Sequence, residues 1–256
     1  MIANYHTHTA RCNHASGTER EYVERAISGG LKILGFSDHT PYPFPNGYIS
    51  GIRMRLHEMD NYVNTVLDLK KEYQNDIEIH LGVEVEYYPR FFESLLKFMQ
   101  DYPVEYFLHA QHYTGDELEG VYSGKETKDP AILKKYCDQV IEAINTGRFT
   151  YLAHPDLINF TGDKALYDQQ LRRVCREAKI KNLPMEINFL GLYEGRHYPN
   201  EQLWKIVGEE GNSVIFGADA HQTEAVWRPE VEQKALEIVE RYGLKLVETT
   251  ALVKPF

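Results

Sequence analysis

Nine residues of this sequence have the chemistry of metal ligands and recur in short clusters. His6 and His8 lie two apart in His6-Thr7-His8, and His14 follows closely. His39 comes next, in Asp38-His39, then Glu84 in Gly82-Val83-Glu84, His112, His154 in His154-Pro155, and Asp219 with His221 in Asp219-Ala220-His221. Neutral imidazole and carboxylate are the usual ligands of zinc, iron and manganese. Nine such groups are too many for one ion. A carboxylate such as Glu84 can bridge two, and a bridged pair activates water and clamps a transferring phosphoryl group.

Such a cluster needs elements that bring distant segments together. Apolar runs at Ile2–His8, Ile33–Ser37, Ile77–Glu86, Tyr106–Tyr113, Tyr151–His154, Met185–Phe189 and Val214–Ala218 read as strands. Helical patterns cover Glu19–Gly29, Leu56–Tyr73, Phe91–Asp101, Pro130–Thr146, Ala165–Lys181, Glu201–Glu210 and Pro229–Tyr242. Thr18 opens the first helix with a capping box, and Gly243 closes the last. Seven strand–helix repeats predict a parallel sheet, and their even spacing predicts closure into a barrel, an α/β fold in one domain. Leu244–Glu248 can add a short eighth strand. On the first strand His6 and His8 share a face. Nearly all the other candidates fall at C-terminal strand ends, the rim where α/β barrels assemble active sites.

The whole chain bounds the chemistry. Its 256 residues are 43% hydrophobic and 26% charged, with a formal net charge of −10. That balance suits a globular domain and argues against binding nucleic acid or anionic lipid. Metal ions would still let it take an anionic substrate. No signal peptide or membrane span is legible. Cys12, Cys137 and Cys175 are widely spaced and form no CxxC, which predicts free thiols in a cytoplasmic protein.

The series HxH, Ser37-Asp38-His39, GxE, a later isolated His112, Ala153-His154-Pro155-Asp156 and Gly217-Ala218-Asp219-Ala220-His221 resembles the polymerase-and-histidinol-phosphatase (PHP) superfamily. It is most similar to the histidinol-phosphatase branch. The resemblance implies a distorted (β/α)7 TIM-like barrel that holds three divalent metal ions, whether zinc, manganese or iron. One would be held by His6, His8, Glu84 and Asp219, a second by Glu84, His112 and His154, and a third by His14, His39 and His221. It also implies a phosphomonoesterase for L-histidinol phosphate, with a metal-bridged hydroxide attacking phosphorus. Arg196 is then the candidate phosphate clamp, His197 the candidate proton donor to the leaving alkoxide, and Asp38 a residue that orients a ligand or moves a proton. Arg53 and Arg55 are further candidates for phosphate. Glu86 shares a face with Glu84 and is a candidate support for a ligand. The fourth strand departs from the branch, with Leu108-His109-Ala110-Gln111-His112 where a GSxH sequence is usual; His112 holds the position of its final histidine. Other phosphomonoesters, nucleotides or phosphodiesters remain open as substrates, as does a non-catalytic metal-binding scaffold. An amidohydrolase lacks support because the fourth strand has no lysine. Oligomeric state is not legible.

Overall fold

A computed structural model describes residues 1–256. Eight strands form one parallel sheet: β1 (Ala3–Asn4), β2 (Ile33–Phe36), β3 (Glu78–Val85), β4 (Tyr106–His109), β7 (Phe149–Leu152), β8 (Met185–Asn188), β9 (Ser213–Gly217) and β10 (Lys245–Leu246), hydrogen-bonded in that order. Between β4 and β7 a small antiparallel hairpin, β5 (Tyr113–Thr114) and β6 (Val121–Tyr122), stands apart from the sheet. Helices α1 (Glu19–Ser28), α2 (Met59–Glu72), α3 (Phe92–Met99), α4 (Pro130–Thr146), α5 (Lys164–Ile180), α6 (Phe189–Glu194), α7 (Glu201–Glu210) and α8 (Pro229–Tyr242) surround it. The expected seven-unit barrel is present. The short eighth strand pairs with the start of β9, Lys245 opposite Ser213 and Leu246 opposite Val214.

The seam is closed at the opposite end. Thr7 bridges Ala220 in parallel, with His8 N donating to Ala220 O at 3.0 Å and Ala220 N to His6 O at 3.2 Å. The closure therefore sits among the candidate ligands.

Local sequence explains the elements. Parallel strands covered on both faces are mostly apolar, and β4, β7 and β8 are buried at every position, with His109, Thr150, Glu186 and Asn188 their buried polar residues. The Thr18 capping box forms with Glu21, and Gly243 ends α8 with φ of 59°. One apolar layer lies between α1–α3 and β2–β3, another between α4, α5, α7, α8 and β7–β9. Inside the barrel Tyr5, Tyr106 and Tyr151 pack with Ala3, Leu108, Ala153 and Ile215. Tyr106 lies across Gly82, where an added Cβ would come within 2.2 Å of its ring. The glycine of Gly82-Val83-Glu84 is thus a space for a tyrosine. Leu252, in the terminal segment, packs against this interior layer, and Val253 N donates to Thr150 Oγ1 at 3.0 Å.

Two strands are shorter than the apolar runs suggested. The β1 ladder covers only Ala3–Asn4, so His6 and His8 lie beyond it on the rim segment that carries the Thr7 bridge. The β4 ladder ends at His109. The Gln111 amide donates to Tyr87 O at 3.3 Å and Tyr113 O at 2.8 Å, turning the chain into the hairpin. No helix is long and apolar enough to cross a membrane. All three cysteines are free and buried.

Candidate metal centre

The nine candidate ligands meet at one end of the barrel. Glu84, the penultimate residue of β3, is buried at its centre. Its carboxylate lies 3.2 Å from His6 Nε2, 3.7 Å from His8 Nε2, 2.9 Å from His39 Nδ1 and 3.0 Å from His154 Nε2. Asp219 Oδ1 is 3.5 Å from His6 Nε2 and 3.1 Å from His8 Nε2. His112 stands beside this group, its ring centroid 5.1 Å from His39 and 5.0 Å from His154. His154 and Asp219 have φ of 29° and 49°. Left-handed backbone at non-glycine residues is strained, and here it falls on two candidate ligands.

Several polar atoms in the cluster lack hydrogen bonds although they are buried. They are both ring nitrogens of His8, His6 Nε2, His39 Nδ1, His154 Nδ1 and Glu84 Oε2. Leaving such groups unpaired is costly, and it is the arrangement a cation would satisfy. His14 and His221 make the case chemically. Nδ1 of His14 donates to Cys12 O at 2.8 Å, and Nδ1 of His221 donates to Asp219 O at 3.0 Å. Burial depresses both imidazoles, so each is neutral and each Nε2 bears a lone pair. Yet the two Nε2 atoms face one another at 3.0 Å. Opposed lone pairs repel unless a cation lies against both. Donor atoms of His14, His39 and His221 fall within 4.8 Å of one another, as do those of His6, His8 and Asp219 and those of His6, Glu84 and His154.

Charge inside the cluster is sharply sorted. Burial would raise Glu84, but His39, His112 and His6, with the hydrogen bond to His154, hold it well below the usual carboxylate range. Asp219 is likewise held down against burial by His6, His8 and His221. Burial opposes a charge on His8, yet Asp219, Asp38 and Glu84 raise its pKa to about 9. His39 is pushed down to about 4, by burial first and by the neighbouring His8. Without metals, protons supply part of the positive charge these carboxylates demand. Cys12 Sγ also lies within 4.8 Å of donors on His8 and His221. Burial and Asp38 hold its thiol up, so it stays neutral.

Carboxylates behind the ligands fix their tautomers. Glu186 of β8 meets His6 Nδ1 at 2.8 Å, and Glu86 meets His112 Nδ1 at 2.7 Å. A histidine held at Nδ1 presents Nε2 to a metal. Gly217 leaves the room for Glu186, since a Cβ there would come within 2.1 Å of its carboxylate. Glu86 is in turn gripped by Arg53, with Nη1 at 2.6 Å and Nη2 at 2.5 Å, while Arg53 Nε donates to Glu117 at 2.7 Å. Glu86 was an expected support. Glu186 lies in no motif, and its one sequence signal is an acid inside the short strand run Met185–Phe189.

Beside the ligands opens a cavity of about 420 Å³, whose lining also includes Tyr113, Tyr122, Leu157, Leu190, Glu194, Arg196 and Tyr198. That is ample for a small ligand. Arg196 reaches it as expected. The proton-donor role expected of His197 needs correction, and for Asp38 the geometry favours one of its two expected roles. His197 Nε2 donates to Leu157 O at 2.8 Å, and the residue does not line the cavity, so it is badly placed to protonate a leaving group. Asp38 is fully buried away from the cavity. It accepts from Thr9 Oγ1 and from His39 N, and lies 3.5 Å from His8 Nδ1. Asp38 thus has the geometry of an orienting group rather than a proton carrier. Arg53, saturated by Glu86 and Glu117, is unavailable to a phosphate.

Sequence comparison supplies the family. A model described as the PHP domain matches residues 4–189, which carry seven of the nine clustered candidate ligands. The chain belongs to the PHP family. Among its relatives is a probable histidinol-phosphatase from Deinococcus radiodurans, 27% identical over 227 residues that cover 86% of each chain. The histidinol-phosphatase of Bacillus subtilis is 23% identical over 247 residues, covering 85% of this chain and 92% of that one. In fold, this PHP domain is similar to histidinol phosphate phosphatase from Lactococcus lactis, solved with zinc, L-histidinol and phosphate. The TM-score is 0.76 and the identity 20%, over 99% of this chain and 98% of the other.

Proposed function

We propose that the chain is a metal-dependent phosphomonoesterase, a single PHP-type domain acting on L-histidinol phosphate. The observation that carries this reading is Glu84, set among four imidazoles on the wall of a cavity that Arg196 also lines. The relatives named histidinol-phosphatase favour the substrate.

The donor set fits hard-to-borderline divalent ions, being imidazole and carboxylate with a neutral thiol. His6, His8, Glu84 and Asp219 would hold one, Glu84, His112 and His154 a second, and His14, His39 and His221 a third. When bound, these ions supply an activated water and positive charge for the phosphoryl oxygens. The chain's own residues do the rest. Arg196 presents a planar guanidinium suited to bidentate contact with phosphate oxygens. Glu186, Glu86 and Asp38 hold the ligand imidazoles in place. Tyr122 and Tyr198 bring hydroxyl groups to the cavity, where they can hydrogen-bond the ester and the departing alcohol.

The test is phosphate release from L-histidinol phosphate, nucleotides and an aryl phosphodiester, with metals per chain measured on the same preparation. Preferential release from L-histidinol phosphate is expected. Activity on the phosphodiester alone would sink the substrate assignment, and undiminished activity after metal removal would sink metal dependence.

A further inference from the structure

Three carboxylates line the cavity: Glu84, Asp219 and Glu194. Glu84 and Asp219 are surrounded by imidazoles and belong to the ligand cluster. Glu194 is not. Its ion-pair partner is Arg196, with Glu194 Oε2 2.7 Å from Nε and 2.6 Å from Nη2. The two sit on either side of Gly195, whose φ of 65° turns the chain at the end of α6. Arg196 Nη1 also donates to Tyr198 Oη at 2.8 Å.

A carboxylate in a cavity that receives a phosphate is a liability for a substrate carrying negative charge alone. It repels the phosphate and occupies the arginine that would bind it. The liability disappears if the substrate also carries a cation, because each member of the pair then finds a partner of opposite sign. The pair is open to such an exchange. The Arg196 and Glu194 side chains are 37% and 44% exposed, a setting in which ion pairs are weakly held.

Building on the phosphomonoesterase reading, we infer that Glu194 is the residue that binds the protonated amine on the alcohol half of the substrate. In the free protein Arg196 and Glu194 neutralise one another. In the substrate complex Arg196 turns to the phosphoryl oxygens and Glu194 accepts hydrogen bonds from the ammonium. Tyr122, also on the lining and 42% exposed, offers an aromatic surface to the organic part of the ester. Glu194 is a specificity residue here and takes no part in bond breaking.

The test compares kcat/KM for L-histidinol phosphate and its deamino analogue, in which hydrogen replaces the amino group. The metal-loaded wild type should prefer the amine by roughly 10-fold to 100-fold, the range of a charge-assisted hydrogen bond. In Glu194→Gln that preference should collapse to within about 3-fold, with the amine substrate losing more than the analogue. Glu194→Asp, which keeps the charge, should restore part of it. If Glu194 merely holds Arg196 in position, both esters slow together in Glu194→Gln and the preference survives, which overturns the inference. A wild type indifferent to the amine overturns it as well, while leaving the phosphatase reading intact. Hydrolysis of neither ester by the wild type would sink the phosphatase reading itself and this inference with it.

Discussion

Glu186 Oε2 and His6 Nδ1 meet at 2.8 Å inside the barrel although 180 positions separate them in the chain. The contact decides which imidazole nitrogen faces Glu84 and Asp219. Glu186→Ala should therefore lower metal affinity roughly 10-fold to 100-fold, the usual effect of losing a carboxylate behind a ligating histidine. Competition with a chelator measures it. Unchanged affinity would reduce the contact to packing.

Glu84 is the residue on which the two halves of the cluster converge. Glu84→Gln keeps its shape and removes its charge. Turnover should fall by roughly 100-fold or more, with far-ultraviolet circular dichroism unchanged. Retention of most activity would remove Glu84 from its proposed bridging position.

The pH dependence follows from His8, whose pKa of about 9 lies above the ordinary 6.5. A raised value means that its pairing with Asp219 and Asp38 stabilises the metal-free fold fully below pH 6.5 and is lost as pH rises through about 9. A metal must displace that same proton. Metal affinity should climb across this window and level off above it, as isothermal titration in buffers of different ionisation enthalpy would record. An affinity flat with pH, without proton release, contradicts the assignment.

Arg53 supports the centre from behind. Arg53→Met leaves the Glu86 carboxylate buried and uncompensated, which should cost about 3–5 kcal/mol of stability in denaturant unfolding. In the folded fraction of that variant, metal content should drop, because His112 depends on Glu86 for its orientation. A variant as stable as the parent would show that water reaches Glu86.

Stripping the metals should lower Tm. A ligand present at 100 times its Kd contributes about 2.7 kcal/mol per independent site, and a chain of this size shifts by roughly 2–4 °C per kcal/mol. Chelation should thus lower Tm by roughly 5–11 °C or more in a thermal scan, and the original value should return when metal is restored. An unshifted Tm would argue against metal binding.

The gathering of the candidate ligands was legible because they cluster in short runs at strand ends, where barrel geometry brings them together. His6-Thr7-His8 and Asp219-Ala220-His221 even form the closing bridge of the barrel. What could not be read from the chain were contacts set by tertiary structure. Nothing near Glu186 in sequence points to His6. His197 follows Arg196 directly, but its ring turns to Leu157 O, a carbonyl 40 positions earlier. The apolar run through Tyr113 concealed the end of β4, because Gln111 takes over the hydrogen bonding that the ladder gives up.

The Thr7–Ala220 bridge has a consequence for the order of synthesis. A ribosome delivers His6, His8 and His14 early, whereas His221, which faces His14 at 3.0 Å, arrives 207 residues later. Until then the barrel has no seam and the centre lacks Asp219. A nascent fragment that stops short of Asp219 and His221 can therefore offer an ion only an incomplete set of the candidate ligands.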